Sequence, residues 1–415
     1  MTRSFTFVLL LVVCFVCIGP LAAQDAPTPE PVGLRPDAPE YALHGPYWVG
    51  TQEFVIDPEG ERPLSVSVWY PAIRPKSDER AAYDTGVSDL LGEAMSVITE
   101  AQAFASAEPD LLDAPYPLVV ISGGLGASRF SYFELAEHLA SMGFVVASVE
   151  HLGTAAREGM EGTAAVGSDN NIQSLFYRPS DVTRVIGYAD TLTAPEGALD
   201  RLIDTERIAV WGHSTGGTTV FQAAGAQIDF PALADWCADK ADDPNAAESC
   251  QFLGHENELA ALYGVADPQA GLFPALWDER VDAMVAAAPG GELHAFGEAG
   301  VAPIEVPTLL MVGTEDPYVS PDFNSLWAYG QISSPVRALA QFASGGHLMF
   351  ASCPVMWTEF CGYDSVWDVD RTQDLVNHFT TAFLLDTLKG DEAAHAALAP
   401  DAVAFPGIEY QAEGF

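Results

Sequence analysis

The 415-residue sequence is 49% hydrophobic, enough material for one large α/β domain or two smaller ones. Its 17 lysines and arginines stand against 58 aspartates and glutamates, a formal net charge of −41, with lysine only at Lys76, Lys240 and Lys389. Such a field repels phosphate backbones and anionic lipid surfaces, which argues against a nucleic-acid partner and suits a solvated acidic surface in salty surroundings.

The first residues carry one positive charge at Arg3, an apolar stretch from Phe5 to Ile18 and a small-residue exit at Ala22 and Ala23. This pattern predicts a secretory signal peptide over residues 1–23, cleaved rather than retained. Cys14 and Cys17 each follow valine, which disfavours lipid attachment. No later run approaches the roughly 18 apolar residues of a spanning helix. The expected mature chain is therefore secreted or periplasmic, with no stable membrane span.

Residues 24–40, rich in proline and polar side chains, predict an extended leader before a single domain over 41–415. Two alternating runs, YWVGTQEFVI and RPLSVSVWYPA, flank an Asp-Pro-Glu-Gly turn and predict an antiparallel strand pair. Residues 76–113 read as polar loop with some helix. From Tyr116, YPLVVISGG, a helical-period segment FSYFELAEHLASMG and FVVASVEH form a βαβ unit that requires a buried parallel sheet. A helix over about 179–192 follows, with Asp181 near its start. Then come the strand RIAVWG, a serine and a second helix. Further strands are predicted at RVDAMVAAAP, VPTLLMVG and RALAQFAS, with a terminal helix over about 368–388. The fold class is α/β, with a mostly parallel, doubly wound sheet. Residues 227–279 exceed an ordinary connection and predict a helical insertion, read equally as a cap over a pocket or as surface decoration.

Four cysteines remain after the signal segment, and the simplest pairing is Cys237 with Cys250 and Cys353 with Cys361. Neither a Cys-x-x-Cys nor a histidine-rich cluster accompanies them, so no metal and no cofactor is expected.

Gly212-His213-Ser214-Thr215-Gly216 fits G-x-S-x-G with a buried strand before it and a helix after it. In that setting the serine occupies a strained turn at the top of a sheet. A serine hydroxyl needs a base, and the base an orienting acid, expected in the chain order Ser, Asp or Glu, His. Asp316, in TEDP after VPTLLMVG, and His347, in ASGGHLMF after the next strand, comply. Glu315 is the neighbouring rival. Asp282 lies inside a strand and reads as structural, and Asp316 itself could simply form a turn before Pro317. His213 is expected to point away from the serine, and His151 precedes it in the chain, against the order. His138 lies on a predicted helix, and His44, His255, His294, His378 and His395 lack a strand-end context. Backbone N–H groups of Thr215 and of Leu125, in the SGGLG loop after YPLVVI, are the candidate oxyanion donors.

With GPYWVGTQEF, PLVVISGGLGASRFSYFELAEHLASMGFVVASVEH, YRPSDVTRVI, GHSTGG, GTEDP and GGH in order, the chain resembles the platelet-activating-factor acetylhydrolase-like, dienelactone-hydrolase-related esterases of the α/β-hydrolase superfamily. The resemblance runs from about residue 47 to 388 and implies nucleophile Ser214, base His347 and oxyanion donors Leu125 and Thr215. Relatives often have His-Gly where this chain has Gly123-Gly124, which implies a looser oxyanion loop. In the acetylhydrolases the acid follows the strand matching RVDAMVAAAP, where this chain has Pro289, Gly290 and Gly291, with Glu292 nearby. Asp316 holds the more usual superfamily place. Dienelactone hydrolases proper use cysteine, so Ser214 argues against that specialisation.

The sequence thus predicts an exported serine esterase acting on small-molecule or lipid esters through an acyl-enzyme. The alternatives are a polyester or cutin hydrolase, a catalytically silent binding protein on the same fold, and an amidase or peptidase. The aromatic run MWTEFCGYDSVW beside His347 reads either as pocket lining or as core.

Overall fold

The computed structural model describes residues 38–76, 79–85, 87–88, 94–95, 98–155, 168–352 and 366–415. Residues 38–415 form one unit. The expected signal segment, nearly all of the leader, and Cys353 and Cys361 lie outside the described residues.

Among the described residues ten strands make one sheet: β1 (Trp48–Ile56), β2 (Leu64–Ala72), β3 (Phe104–Ala105), β4 (Tyr116–Ser122), β5 (Val145–Val149), β6 (Ile203–His213), β7 (Val281–Ala287), β8 (Thr308–Gly313), β9 (Arg337–Phe342) and β10 (Ile408–Glu413). Their order is β10-β9-β8-β7-β6-β4-β5-β2-β1-β3. From β5 through β9 every neighbouring pair is parallel, and β2 joins antiparallel to both β1 and β5.

The continuous apolar runs arise because helices cover both faces, so successive side chains alternate between two cores rather than between core and water. Leu118, Val120, Val210 and Leu310 pack on one side with Val182, Val185 and Ile186 of α2 (Ser168–Thr193) and Phe221 of α3 (Thr215–Ala223). Val119, Ile121, Trp211 and Met311 face the other layer, with Leu135 and Leu139 of α1 (Phe133–Ser141) and Phe379 and Phe383 of the long C-terminal helix Val369–Lys389.

Three features differ from the sequence expectation. Part of residues 76–113 forms short strands, Ala82–Asp84 pairing with Ile98–Glu100 and Val87–Ser88 with Ala94–Met95, in place of helix. The C-terminus adds β10, which pairs antiparallel with β9 and closes that edge. Helix α2 begins at Ser168, not near Pro179, which lies inside it. A proline there removes the N–H that would meet the carbonyl of Leu175. That carbonyl instead accepts from Gln222 Nε2 at 2.7 Å and from the Tyr263 hydroxyl at 2.6 Å, so the helix runs on.

The stretch 227–279 carries α4 (Phe230–Asp239), α5 (Ala247–Cys250) and α6 (Glu256–Tyr263). A Cys237–Cys250 disulfide ties α4 to α5. Trp236 of α4 stacks on His294, ring centroids 3.9 Å apart, and the Glu248 carboxylate of α5 lies against Gly291. The insertion therefore docks on the segment that follows β7.

Candidate active site

The carboxyl ends of β4, β6, β8 and β9 supply the candidate residues, the edge where open α/β sheets gather their sites. Ser214 follows β6 with φ 56° and ψ −130°, a conformation that costs a non-glycine residue about 1–3 kcal/mol. Its surroundings enforce the turn. Ser214 N–H donates to the carbonyl of Ala287 at 3.0 Å, and its own carbonyl accepts from Gly290 N–H at 2.9 Å and Thr218 N–H at 3.1 Å. A side chain at Gly216 would overlap the carbonyl of Ser122, so only glycine lets α3 leave past the end of β4.

Asp316 divides its carboxylate between two tasks. Oδ1 accepts from the N–H groups of Tyr318 and Val319, both at 2.8 Å, and so builds the turn through Pro317. Oδ2 lies 2.6 Å from His347 Nδ1, with the two side chains only 2% and 7% exposed. A carboxylate on Nδ1 keeps the proton there and leaves Nε2 as the acceptor of the neutral ring. The rivals are engaged elsewhere. Glu315 accepts from the Ser344 hydroxyl, Asp282 from Ile208 N–H, and Glu292 from the hydroxyls of Thr218 at 2.8 Å and Thr215 at 3.3 Å.

The SGGLG loop stands against the serine. A Cβ on Gly124 would sit 3.1 Å from the Cβ of Ser214. The N–H groups of Leu125 and Thr215 make no hydrogen bond among the described residues. Leu125 is 43% exposed.

His213 does not point away from the site. Its Nε2 donates to the backbone carbonyl of His347 at 2.8 Å, the ring centroids are 4.8 Å apart, and Nδ1 must therefore accept from the Tyr132 hydroxyl at 2.8 Å. Burial, with the neighbouring His347, pushes its pKa down to about 3. The Tyr132 oxygen in turn accepts from Gly124 N–H at 3.2 Å.

Beneath the same loop, Ser122 Oγ is 2.9 Å from His151 Nε2, and His151 Nδ1 is 3.0 Å from Asp181 Oδ2. These residue types and contacts mirror a catalytic arrangement, but exposures of 0%, 3% and 1% close this set to substrate. Burial and the nearby Arg178 push His151 down to about 4, so it is neutral, donating to Asp181 and accepting from Ser122. Burial alone would raise the Asp181 pKa, but the hydrogen bonds from His151 and Arg62 outweigh it and hold the group below its ordinary value. Arg178 donates to the carbonyl of Gly123, to Thr154 Oγ1 at 2.8 Å and to Thr219 Oγ1 at 3.1 Å. The loop is thus tethered, contrary to the expectation drawn from Gly123-Gly124, by Tyr132 and Arg178. Neither residue was singled out from the sequence, where the available signal was the cluster of charges around a proline in YRPSDVTR.

On α5, burial of the Glu248 carboxyl and the charge of Glu292 push its pKa up to about 7, against the lowering effect of a hydrogen bond from the Gly291 backbone. Most of the aromatic run after His347 lies outside the described residues. Trp367, at its end, is partly buried and packs against the core beside Phe342.

Known proteins bear on this chain in three ways. Residues 37–177 match the family described as platelet-activating factor acetylhydrolase, isoform II. The Gallus gallus platelet-activating factor acetylhydrolase is 26% identical over 215 residues, 39% of this chain and 50% of that protein. The Canis lupus familiaris enzyme of the same name is 31% identical over 147 residues, 28% of this chain and 33% of that protein. The chain thus spans half or less of the length of these relatives. The structure of a ferulic acid esterase from Streptomyces cinnamoneus superposes with a TM-score of 0.57 at 22% identity, covering 89% of this chain and 97% of that one, a likeness of fold. A match to the alpha/beta hydrolase family extends over residues 118–358, more than half of the sequence and all of the edge just described, and the chain belongs to that family.

Proposed function

We propose that this chain is a serine carboxylic-ester hydrolase. The observation that carries the reading is the strained, partly exposed Ser214 beside the N–H groups of Leu125 and Thr215, which make no hydrogen bond among the described residues, with a carboxylate-bound histidine at the same sheet edge. His347 Nε2 takes the proton as Ser214 Oγ attacks the ester carbonyl. Leu125 N–H and Thr215 N–H hold the resulting oxyanion. His347 then protonates the departing alcohol, and water, activated by the same nitrogen, releases the acid and restores the serine. Asp316 keeps the imidazole in the tautomer that donates from Nδ1 toward its Oδ2.

Small esters suit the site better than a polymer, because α4 and α5 crowd the segment after β7, next to Thr215 and Thr218. Export is supported by the pattern of residues 1–23 and by the Cys237–Cys250 bond. No helix among the described residues is long and apolar enough to cross a membrane.

A fluorophosphonate tests the proposal directly. It should add one adduct, located on Ser214, and Ser214→Ala should abolish both the adduct and turnover of p-nitrophenyl acetate. A folded wild type that stays unlabelled refutes the reading. Faster cleavage of anilides than of matched esters would transfer it to the amidase alternative.

A further inference from the structure

One peptide unit in the loop after β4 is held at both ends. Its carbonyl, on Gly123, accepts from the Arg178 guanidinium, and its N–H, on Gly124, donates to the Tyr132 hydroxyl at 3.2 Å. The two side chains reach it from opposite layers: Arg178 lies on α2, whose apolar face packs on one side of the sheet, while Tyr132 belongs to the core on the other. Each is braced further, Arg178 by the hydroxyls of Thr154 and Thr219 and Tyr132 by His213.

Arg178 is 2% exposed, and among the described residues no carboxylate lies within hydrogen-bond reach of it. Its hydrogen bonds all go to neutral oxygens, with the charges of Glu292 and Asp181 acting on it only from beyond hydrogen-bond reach; burying a cation on such partners is costly, and an apolar side chain of similar volume would stabilise the fold at least as well. Packing is therefore a poor account of this residue. Its position accounts for it better. Without these anchors φ and ψ of Gly124 are free to change, which would re-aim the following N–H, that of Leu125, and the two glycines offer little steric resistance to such a change.

Resting on the reading of Ser214 as nucleophile, we propose that Arg178 and Tyr132 are positioning residues that clamp the Gly123–Gly124 peptide unit so that Leu125 N–H stays aimed at the oxyanion. The effect then falls on the transition state, not on the bound ester.

Tyr132→Phe removes one oxygen, and Arg178→Lys keeps the charge while losing the forked donors. Each should lower kcat for p-nitrophenyl acetate about 10- to 100-fold with KM changed less than about threefold, and weaken an arylboronic acid, which mimics the tetrahedral adduct, by the same factor. The pH midpoint of kcat should stay in place, which separates loss of the clamp from a displaced His347. Tyr263→Phe, which removes a hydroxyl from the Leu175 carbonyl of the same helix, should lower Tm without altering kcat. If one positioning variant fails to fold, the other decides. Wild type labelled at Ser214 by fluorophosphonate, with folded variants retaining kcat and boronate affinity within twofold, overturns the clamp alone. An unlabelled wild type overturns the nucleophile reading and the clamp with it.

Discussion

His213 donates from Nε2 to the backbone carbonyl of His347, 2.8 Å away, so the residue before the serine holds the loop that carries the proposed base. Its other nitrogen accepts from Tyr132, whose oxygen holds Gly124. One neutral, buried imidazole thus links the serine turn, the glycine loop and the histidine loop. His213→Leu should strand the Tyr132 hydroxyl and the His347 carbonyl, destabilising the fold by about 2–4 kcal/mol. Turnover should fall further than KM rises. Urea unfolding and initial rates would measure the two effects, and an unchanged kcat in the folded variant would count against the linkage.

Stability should fall on acidification. His138, His151, His294 and His378 are pushed down to about 4 by burial, and His213 to about 3, against an ordinary 6.5. The unfolded chain takes up protons at these groups before the native state does, so their contribution is complete above pH 6.5 and is lost as pH falls toward 4. Glu134, Glu137, Glu248 and Asp282, raised chiefly by burial, act in the opposite sense, losing stability as pH rises, but they are fewer than the five histidines. Tm should therefore be clearly lower at about pH 5 than at about pH 7.5. Equal values would refute the assignment of neutral histidines.

The three candidate acids make different predictions. Asp316→Asn should reduce kcat roughly 10⁴-fold by offering His347 the wrong tautomer. Glu315→Gln, whose partner is Ser344, should stay close to wild type. Glu292→Gln should cost little more, because its oxygens are bound to Thr215 and Thr218. A wild-type rate in Asp316→Asn, measured on p-nitrophenyl acetate, would move the role to another carboxylate.

Salt should stabilise this protein. With 58 acidic and 17 basic side chains the folded surface repels itself, and counter-ions relieve that repulsion over a Debye length of about 3 Å at 1 M against about 30 Å at 0.01 M. Tm should rise between those concentrations of NaCl. A flat profile would mean that local pairing already offsets the charge.

Much of the sheet edge was legible because periodicity and turn chemistry are local properties. The apolar runs at 116–122, 145–149 and 308–313 are buried along their whole length, as their composition requires. Pro179 misled because proline is read as a helix start by default. The donors that rescue the Leu175 carbonyl, Gln222 and Tyr263, lie 47 and 88 residues away in sequence. β10 and the short strands of 82–100 were missed for a related reason, since their pairing depends on partners and not on a strong pattern of their own.

Ser214, Asp316 and His347 are proposed from the sequence because each follows a strand within a recognisable turn, where the local chain dictates conformation. The sequence alone likewise determined the parallel core of the sheet, the acidic surface and the candidate pairing of Cys237 with Cys250. Which acid meets the imidazole, where His213 turns, and how the glycine loop is held were decided only by tertiary structure. Hydrogen bonds such as those from Arg178 to Gly123 and from Tyr132 to Gly124 join segments that become neighbours only when the two layers close on the sheet, and no local periodicity encodes that meeting.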